Sequence, residues 1–181
     1  KEIQQFLKDQ HGYFLSNLKP AFLQNGFRLG EYEFLSPADK QRVDLYFIRT
    51  IYPMLTPMMF DSYHTFPTLK NNRLLLGVVT KSPNDHNHPQ KASFIQIPSN
   101  ISRFYEILQT DGTISFIPVE DIIIHNIHHL FRNVEVLSVS LFRINRNGDF
   151  TLEESEDIES NFLEELKRKL QTRRTGRVVR M

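Results

Sequence analysis

The residues of this chain that could do chemistry fall into three groups. The first is Arg143 to Glu154, RINRNGDFTLEE. An EF-hand loop sets oxygen ligands at its first, third, fifth, seventh, ninth and twelfth positions and glycine at its sixth. With Gly148 placed sixth, Asn145 falls third, Asn147 fifth and Glu154 twelfth. The first position then falls on Arg143, and a guanidinium carries only donors, so it cannot ligate a cation. The segment leading in fails as well. Val134, Val136, Phe142 and Ile144 alternate with Glu135, Leu137, Val139, Leu141 and Arg143, the period of a strand and not of a helix. The same residues read more simply as a strand, a turn and a capped helix. Asn147-Gly148 tolerates the positive φ of a sharp turn. Thr151 opens a capping box with Glu154 at its third helical position. Ile158, Phe162, Leu163, Leu166 and Leu170 follow on one helical stripe. Acids from Glu153 to Glu159 precede bases from Lys167 to Arg174, an order that suits the helix dipole.

The second group is His125, His128 and His129. His125 and His129 stand four residues apart with Asp121 one turn earlier, a spacing that can hold zinc. No glutamate completes an HExxH arrangement. Ile123, Ile127 and Leu130 take the core stripe, which leaves the histidines on the opposite face, solvated or meeting another domain. We read them as interface candidates and assign no metal. His86 and His88 lie in a polar loop and are read as incidental. The third group is arginine: Arg143, Arg146, Arg173, Arg174 and Arg177, with Arg180 beyond. Guanidinium forks match phosphate oxygens, so these residues are anion-binding candidates if their strands are neighbours. The alternative is a solvated helix end beside an edge strand guarded by charge. There is no G-x-S-x-G elbow, no phosphate-cradling glycine loop and no cysteine, so nucleophilic catalysis has no support.

The elements that must position these groups follow from composition and period. At 181 residues the chain is one ordinary domain, or one with an appendage. A chain of this size buries roughly 70% of its unfolded surface, enough for a core without staples. The absence of cysteine excludes disulfides and thiolate metal sites. No apolar run approaches the roughly 20 residues of a membrane span. The chain opens on Lys1 without a secretory pattern, so a cut fragment is expected and the acceptor Asn100-Ile101-Ser102 carries no meaning. With a net charge of +1 the whole chain is not an obvious polyanion binder.

Ile3, Phe6, Leu7, Phe14, Leu15 and Leu18 predict a helix from Lys1 to about Asn25, with a kink or restart at Pro20 and a stop at Gly26. Ser36-Pro37 predicts a capped helix start running to about Tyr52. Pro53 and Pro57 force an extended segment. Arg73–Thr80 reads as a buried strand, 81–91 as a polar loop and Ser93–Ile97 as its hairpin partner. Ile101–Ile107 reads as a short helix, Thr113–Ile117 as a strand, Val119–Phe131 as an amphipathic helix and Arg177–Arg180 as the start of a strand. Hairpin neighbours interspersed with helices predict an α+β fold of mostly antiparallel sheet with packed helices.

Taken together, IYPMLTP (51–57), Phe66-Pro67, FIQIPSNISRFYEI (94–107), HNIHHLF (125–131), FRINRNGDFTLEESED (142–157) and RRTGRVVR (173–180) resemble bacterial polyphosphate kinase. They match the part called the head domain, in the family's order and over nearly the whole chain. Thr65 departs from the proline often found in the family's H-P-F-P run.

The resemblance implies a PX-like α+β head domain over 53–181. A helical segment, 1–52, packs on it or joins it, and the whole forms one unit. The family transfers the terminal phosphate of ATP reversibly to polyphosphate, through a phosphohistidine in a C-terminal half like the phospholipase D fold. Neither that histidine nor its motif occurs here, so His125, His128 and His129 take no catalytic role. This chain is then expected to be inactive alone and to bind no cofactor, with ATP and Mg2+ belonging to the full-length enzyme. Its work would be oligomer assembly and support of the active site. The implied partners are the remaining domains of its own chain, a second subunit and polyphosphate, with no nucleic acid. The implied location is cytoplasmic, at most peripheral to the inner membrane. A polyanion-binding module, for polyphosphate or phosphoinositide headgroups, is the alternative. A calcium or zinc sensor is the third reading.

Overall fold

Ser36 and Pro37 show how local chemistry starts an element in this chain. The Ser36 hydroxyl accepts the Asp39 backbone N–H at 3.1 Å, and Pro37 occupies a first-turn position where no N–H is needed. Helix α3 (Pro37–Tyr46) follows. It continues through a π turn, Phe47–Ile51, and a 3-10 turn, Tyr52–Met54. The computed structural model describes residues 2–60, 67–82, 90–146 and 178–180. They form a mixed α+β architecture, helical at the N-terminus, with mostly antiparallel sheet. The turn at Asn147-Gly148, the capping box at Thr151, the helix after it, the polar loop at 83–89 and Thr65 lie outside the described residues.

The chain divides into two compact units. The first takes in Lys1–Met54 and Ser99–Leu130. Helix α1 (Glu2–Tyr13) runs through a π turn, Phe14–Leu18, into α2 (Lys19–Gln24). The α-helix restarts at Lys19 with Pro20 in its first turn, as expected. The wider turn before it makes room for the ring that would clash with a regular preceding turn. The helix ends at Gly26, whose φ of +79° favours glycine. Strand β1 (Phe27–Leu29) then pairs parallel with β6 (Ile114–Pro118), and β5 (Phe104–Leu108) pairs antiparallel with β6 on its other side. Gly30 lets the two chains approach, since its N–H donates to the Phe116 carbonyl at 3.0 Å. A Cβ there would stand 2.6 Å from Ile117 Cδ1. Helix α4 (Val119–His125) closes the unit with a 3-10 turn, Ile127–His129. Val43, Phe47, Ile51, Ile107, Ile117, Ile122 and Ile123 are its fully buried apolar residues.

Two expectations fail in this unit. Residues 101–107 are not a helix, because Phe104–Leu108 is a strand. Asp111 and Gly112 make the turn that folds it onto β6: Asp111 Oδ1 accepts the Thr113 N–H at 2.9 Å, and Gly112 has φ +83°. The helix from Val119 stops at His125 and does not reach Phe131. Asn126 ends it by turning its amide to two acceptors, Asp44 Oδ1 at 2.9 Å and the Ile122 carbonyl at 3.2 Å.

The second unit holds Leu55–Pro98 and Phe131–Met181. Its sheet runs β2 (Pro57–Phe60), β4 (Gln90–Gln96), β3 (Leu74–Lys81), β7 (Glu135–Arg143), antiparallel throughout. The expected hairpin is present, with Leu76 opposite Ile95 and Val78 opposite Ser93. Strand β3 buries side chains on both faces, Leu75 and Leu76 alike, which is why its sequence runs almost wholly apolar. Leu69, Leu75 and Ile144 form a core cluster against Met58, Phe94 and Phe142. A two-residue strand, β8 (Asn145–Arg146), pairs with β9 (Val178–Arg180). The described part of the calcium-like segment, Arg143 to Arg146, is thus almost entirely strand, with Asn145 opposite Arg180.

Candidate functional site

The most connected polar group in the first unit is built around Tyr32, in the short 3-10 turn Tyr32–Phe34. Its phenol donates to Asp44 Oδ1 at 2.6 Å, and the same oxygen accepts from Asn126 Nδ2. Burial, then the hydrogen bond to Asp44 and its charge, push the Tyr32 phenol up to about 12. Ionising it would set a second anion beside the carboxylate. The Tyr32 backbone N–H donates to Asp121 Oδ2 at 2.6 Å. On the Tyr32 ring lies His125, stacked with centroids 4.5 Å apart. His125 Nδ1 lies 2.9 Å from the Asp121 carbonyl oxygen and 3.4 Å from Asp121 Oδ1. Lys40 Nζ stands 5.6 Å from the Tyr32 ring centroid. These contacts tie a turn, the last turn of α3 and both ends of α4 together.

The three histidines do not converge on a common point. His125 belongs to the tyrosine network. His129 packs against Phe47 and Tyr52 with centroids at 5.8 and 6.5 Å, and His128 lies against His129 at 4.2 Å. The early end of α4 accounts for this, because it puts His128 and His129 in the following 3-10 turn and not on the helix with His125. His128 is the exposed member of its pair, and His129 is half-buried. Among the described residues, no three histidine, aspartate or glutamate side chains stand together as a metal would need.

The arginines are distributed otherwise. Arg143 sits exposed at the end of β7, with Nη1 3.4 Å from Asn72 Oδ1. Arg146 lies in β8, its backbone opposite Val178. Arg173, Arg174 and Arg177 lie outside the described residues. Arg103 escaped the sequence reading. It pairs with the buried carboxylate of Glu120 in the first turn of α4, and its carbonyl accepts the Val119 N–H at 3.1 Å. A buried acid was the available signal, but burial at Glu120 follows only from the packing of α4. Tyr32, Asp44 and Asn126 escaped for the same reason, since each looks ordinary until the fold joins them.

No helix among the described residues is long and apolar enough to cross a membrane. The family whose model matches this chain is described as the polyphosphate kinase middle domain, over residues 38–181. Polyphosphate kinase of Mycolicibacterium gilvum is 32% identical over 181 residues, spanning 98% of this chain and 24% of the relative. Polyphosphate kinase of Mycobacterium tuberculosis (strain CDC 1551 / Oshkosh) is 30% identical over 192 residues, spanning the whole chain and 25% of the relative. The crystal structure of polyphosphate kinase from Porphyromonas gingivalis shares the fold. It aligns with a TM-score of 0.65 and 23% identity over 78% of this chain and 24% of that one. The chain thus spans about a quarter of the length of these relatives. Most of its residues fall within the matched region, and the chain belongs to the polyphosphate kinase family, as its middle domain.

Proposed function

We propose that this chain is the non-catalytic middle domain of a polypeptide that transfers the terminal phosphate of ATP reversibly to polyphosphate. Its work is to hold the active site built by other parts of that polypeptide and to assemble subunits into an oligomer. ATP and Mg2+ serve the full-length enzyme. The observation that carries this reading is the match to a middle domain alone within relatives about four times as long. The polar chemistry of the first unit agrees with it. Tyr32, Asp44 and Asn126 form one group across elements, and Arg103 and Glu120 another, which is what a rigid support requires. His125 and His128 are exposed and His129 is half-buried, so the first two are the histidines best placed to meet a neighbour.

The test is ATP-dependent polyphosphate synthesis with Mg2+. The full-length polypeptide is expected to turn over and the 181-residue chain is not. Turnover by the 181-residue chain alone would sink the proposal. The anion-binding reading of Arg143, Arg146, Arg173, Arg174 and Arg177 is separated by a polyphosphate column at low salt. Retention lost on substituting Arg173 and Arg174 together would support it.

A further inference from the structure

Arg28 and Ser115 stand side by side on one face of the first unit's sheet. They are Cα partners in the parallel pairing of β1 with β6, and Ile107 of β5 is the partner of Ser115 on the other side. Alternation along the strands puts Gly30 and Ile117 on the same face. Helix α3 covers part of it, where Tyr46 meets Tyr105 with ring centroids 4.7 Å apart. Near the first turn of α3 the cover ends. A cleft of about 160 Å3 opens there between the sheet and the segment from Glu31 to Asp39.

The cleft is apolar on one side and polar on the other. Ile117, fully buried, and the partly exposed Leu29 and Leu35 line it, with Phe34 exposed. Gly30 keeps it open, since a Cβ there would stand 2.6 Å from Ile117 Cδ1 and 3.9 Å from Ser115 Cβ. Two of its polar residues are committed to each other. The Ser36 hydroxyl donates to Asp39 Oδ2 at 2.7 Å and accepts the Asp39 N–H. The side chains of Arg28, Glu31, Gln109 and Ser115 also line the cleft, and none has a hydrogen bond or ion pair among the described residues. Ser115 is the telling one, because it is only 3% exposed. A buried hydroxyl is nearly always paired, and leaving it unpaired costs stability.

Charge and size select what would pair it. Glu31 and Asp39 repel a phosphate or a nucleotide, and Arg28 repels a simple amine. A small zwitterion satisfies both signs. Its carboxylate would meet the Arg28 fork and the Ser115 hydroxyl, and its ammonium Glu31. Gln109, with a carbonyl and an amide, can serve either end. Water takes about 30 Å3 in the liquid, so the cleft admits roughly five to ten heavy atoms. The apolar side leaves room for a short aliphatic group.

We infer that this cleft binds a free α-amino acid with a short aliphatic side chain. The inference is independent of the kinase reading, since its readout is binding and not turnover. Isothermal titration of L-valine into the full-length polypeptide tests it, with one saturable site expected. Arg28→Met should weaken binding ~10- to 100-fold and Ser115→Ala ~5-fold, neither lowering the melting temperature of the free protein. Isovalerate, which lacks the ammonium, and isobutylamine, which lacks the carboxylate, should each bind at least ~10-fold more weakly than valine. Four outcomes overturn the inference: no saturable binding of L-valine, binding unmoved by both substitutions, isovalerate held as tightly as valine (an anion site only), or displacement of valine by ATP.

Discussion

The contact of Tyr32 with Asp44 sets up a measurable cycle. Asp44→Ala removes the acceptor of two donors, the Tyr32 phenol at 2.6 Å and the Asn126 amide at 2.9 Å. A hydrogen bond to a charged group contributes about 1.5–3 kcal/mol when buried. Tyr32 and Asp44 are only half-buried, so the orphaned phenol regains some water, and the buried Asn126 amide keeps its bond to the Ile122 carbonyl; the expected loss is about 2–3 kcal/mol for both bonds. Tyr32→Phe loses one of them, at about 1–1.5 kcal/mol. The double variant should cost less than the sum, with a coupling of about 1 kcal/mol.

The same contact predicts a pH dependence. The phenol rises from 10.0 to about 12 in the fold, so the fold favours the neutral form. Its contribution is complete below pH 10, the unfolded value, and is lost as pH rises to about 12. Two units correspond to about 2.7 kcal/mol, and solvent at the partly open site reduces this to about 1 kcal/mol. The assay is urea unfolding followed by circular dichroism, with the four proteins of the cycle compared at neutral pH and wild type against Tyr32→Phe between pH 9 and 12. Additive losses, together with a pH profile unchanged by Tyr32→Phe, would refute the reasoning.

Three further outcomes follow from the packing. Gly30→Ala drives a Cβ to 2.6 Å from Ile117 Cδ1 in the core and should cost about 1–3 kcal/mol, visible as a lower melting temperature. Arg103→Met leaves the buried Glu120 carboxylate without its partner and should cost about 2 kcal/mol, less than for a fully buried pair because Arg103 is partly exposed. Adding Glu120→Gln should recover part of that loss in the same melts, and no recovery would show that the charge is not the cause. Ser36→Ala removes the cap of α3 and should cost about 1 kcal/mol, while Ser36→Asp should restore it.

Where a feature depends on neighbours in sequence, it was legible before any fold was known. The Ser36-Pro37 start, the Gly26 stop and the β3–β4 hairpin rest on capping, on φ and on short-range pairing. The family was legible for a different reason, because its motifs are long runs in a fixed order. The strand Phe104–Leu108 was misread because aromatic and branched residues suit either element, and only its ladder with Ile114–Pro118 decides. The parallel pairing of Phe27–Leu29 with that same strand joins residues far apart in sequence, with no local signal at all.

The candidate sites divide along the same line. The sequence by itself determined that no thiol chemistry is possible, that Arg143 spoils a calcium loop and that three histidines cluster near residue 127. Those facts depend on residue type and spacing alone. Only the tertiary structure decided that the histidines part company at Asn126, that Tyr32 shares Asp44 with that asparagine, and that Glu120 is buried against Arg103. Each is a meeting of side chains brought together by burial of apolar surface elsewhere, and burial is a property of the packed chain and not of any window along it.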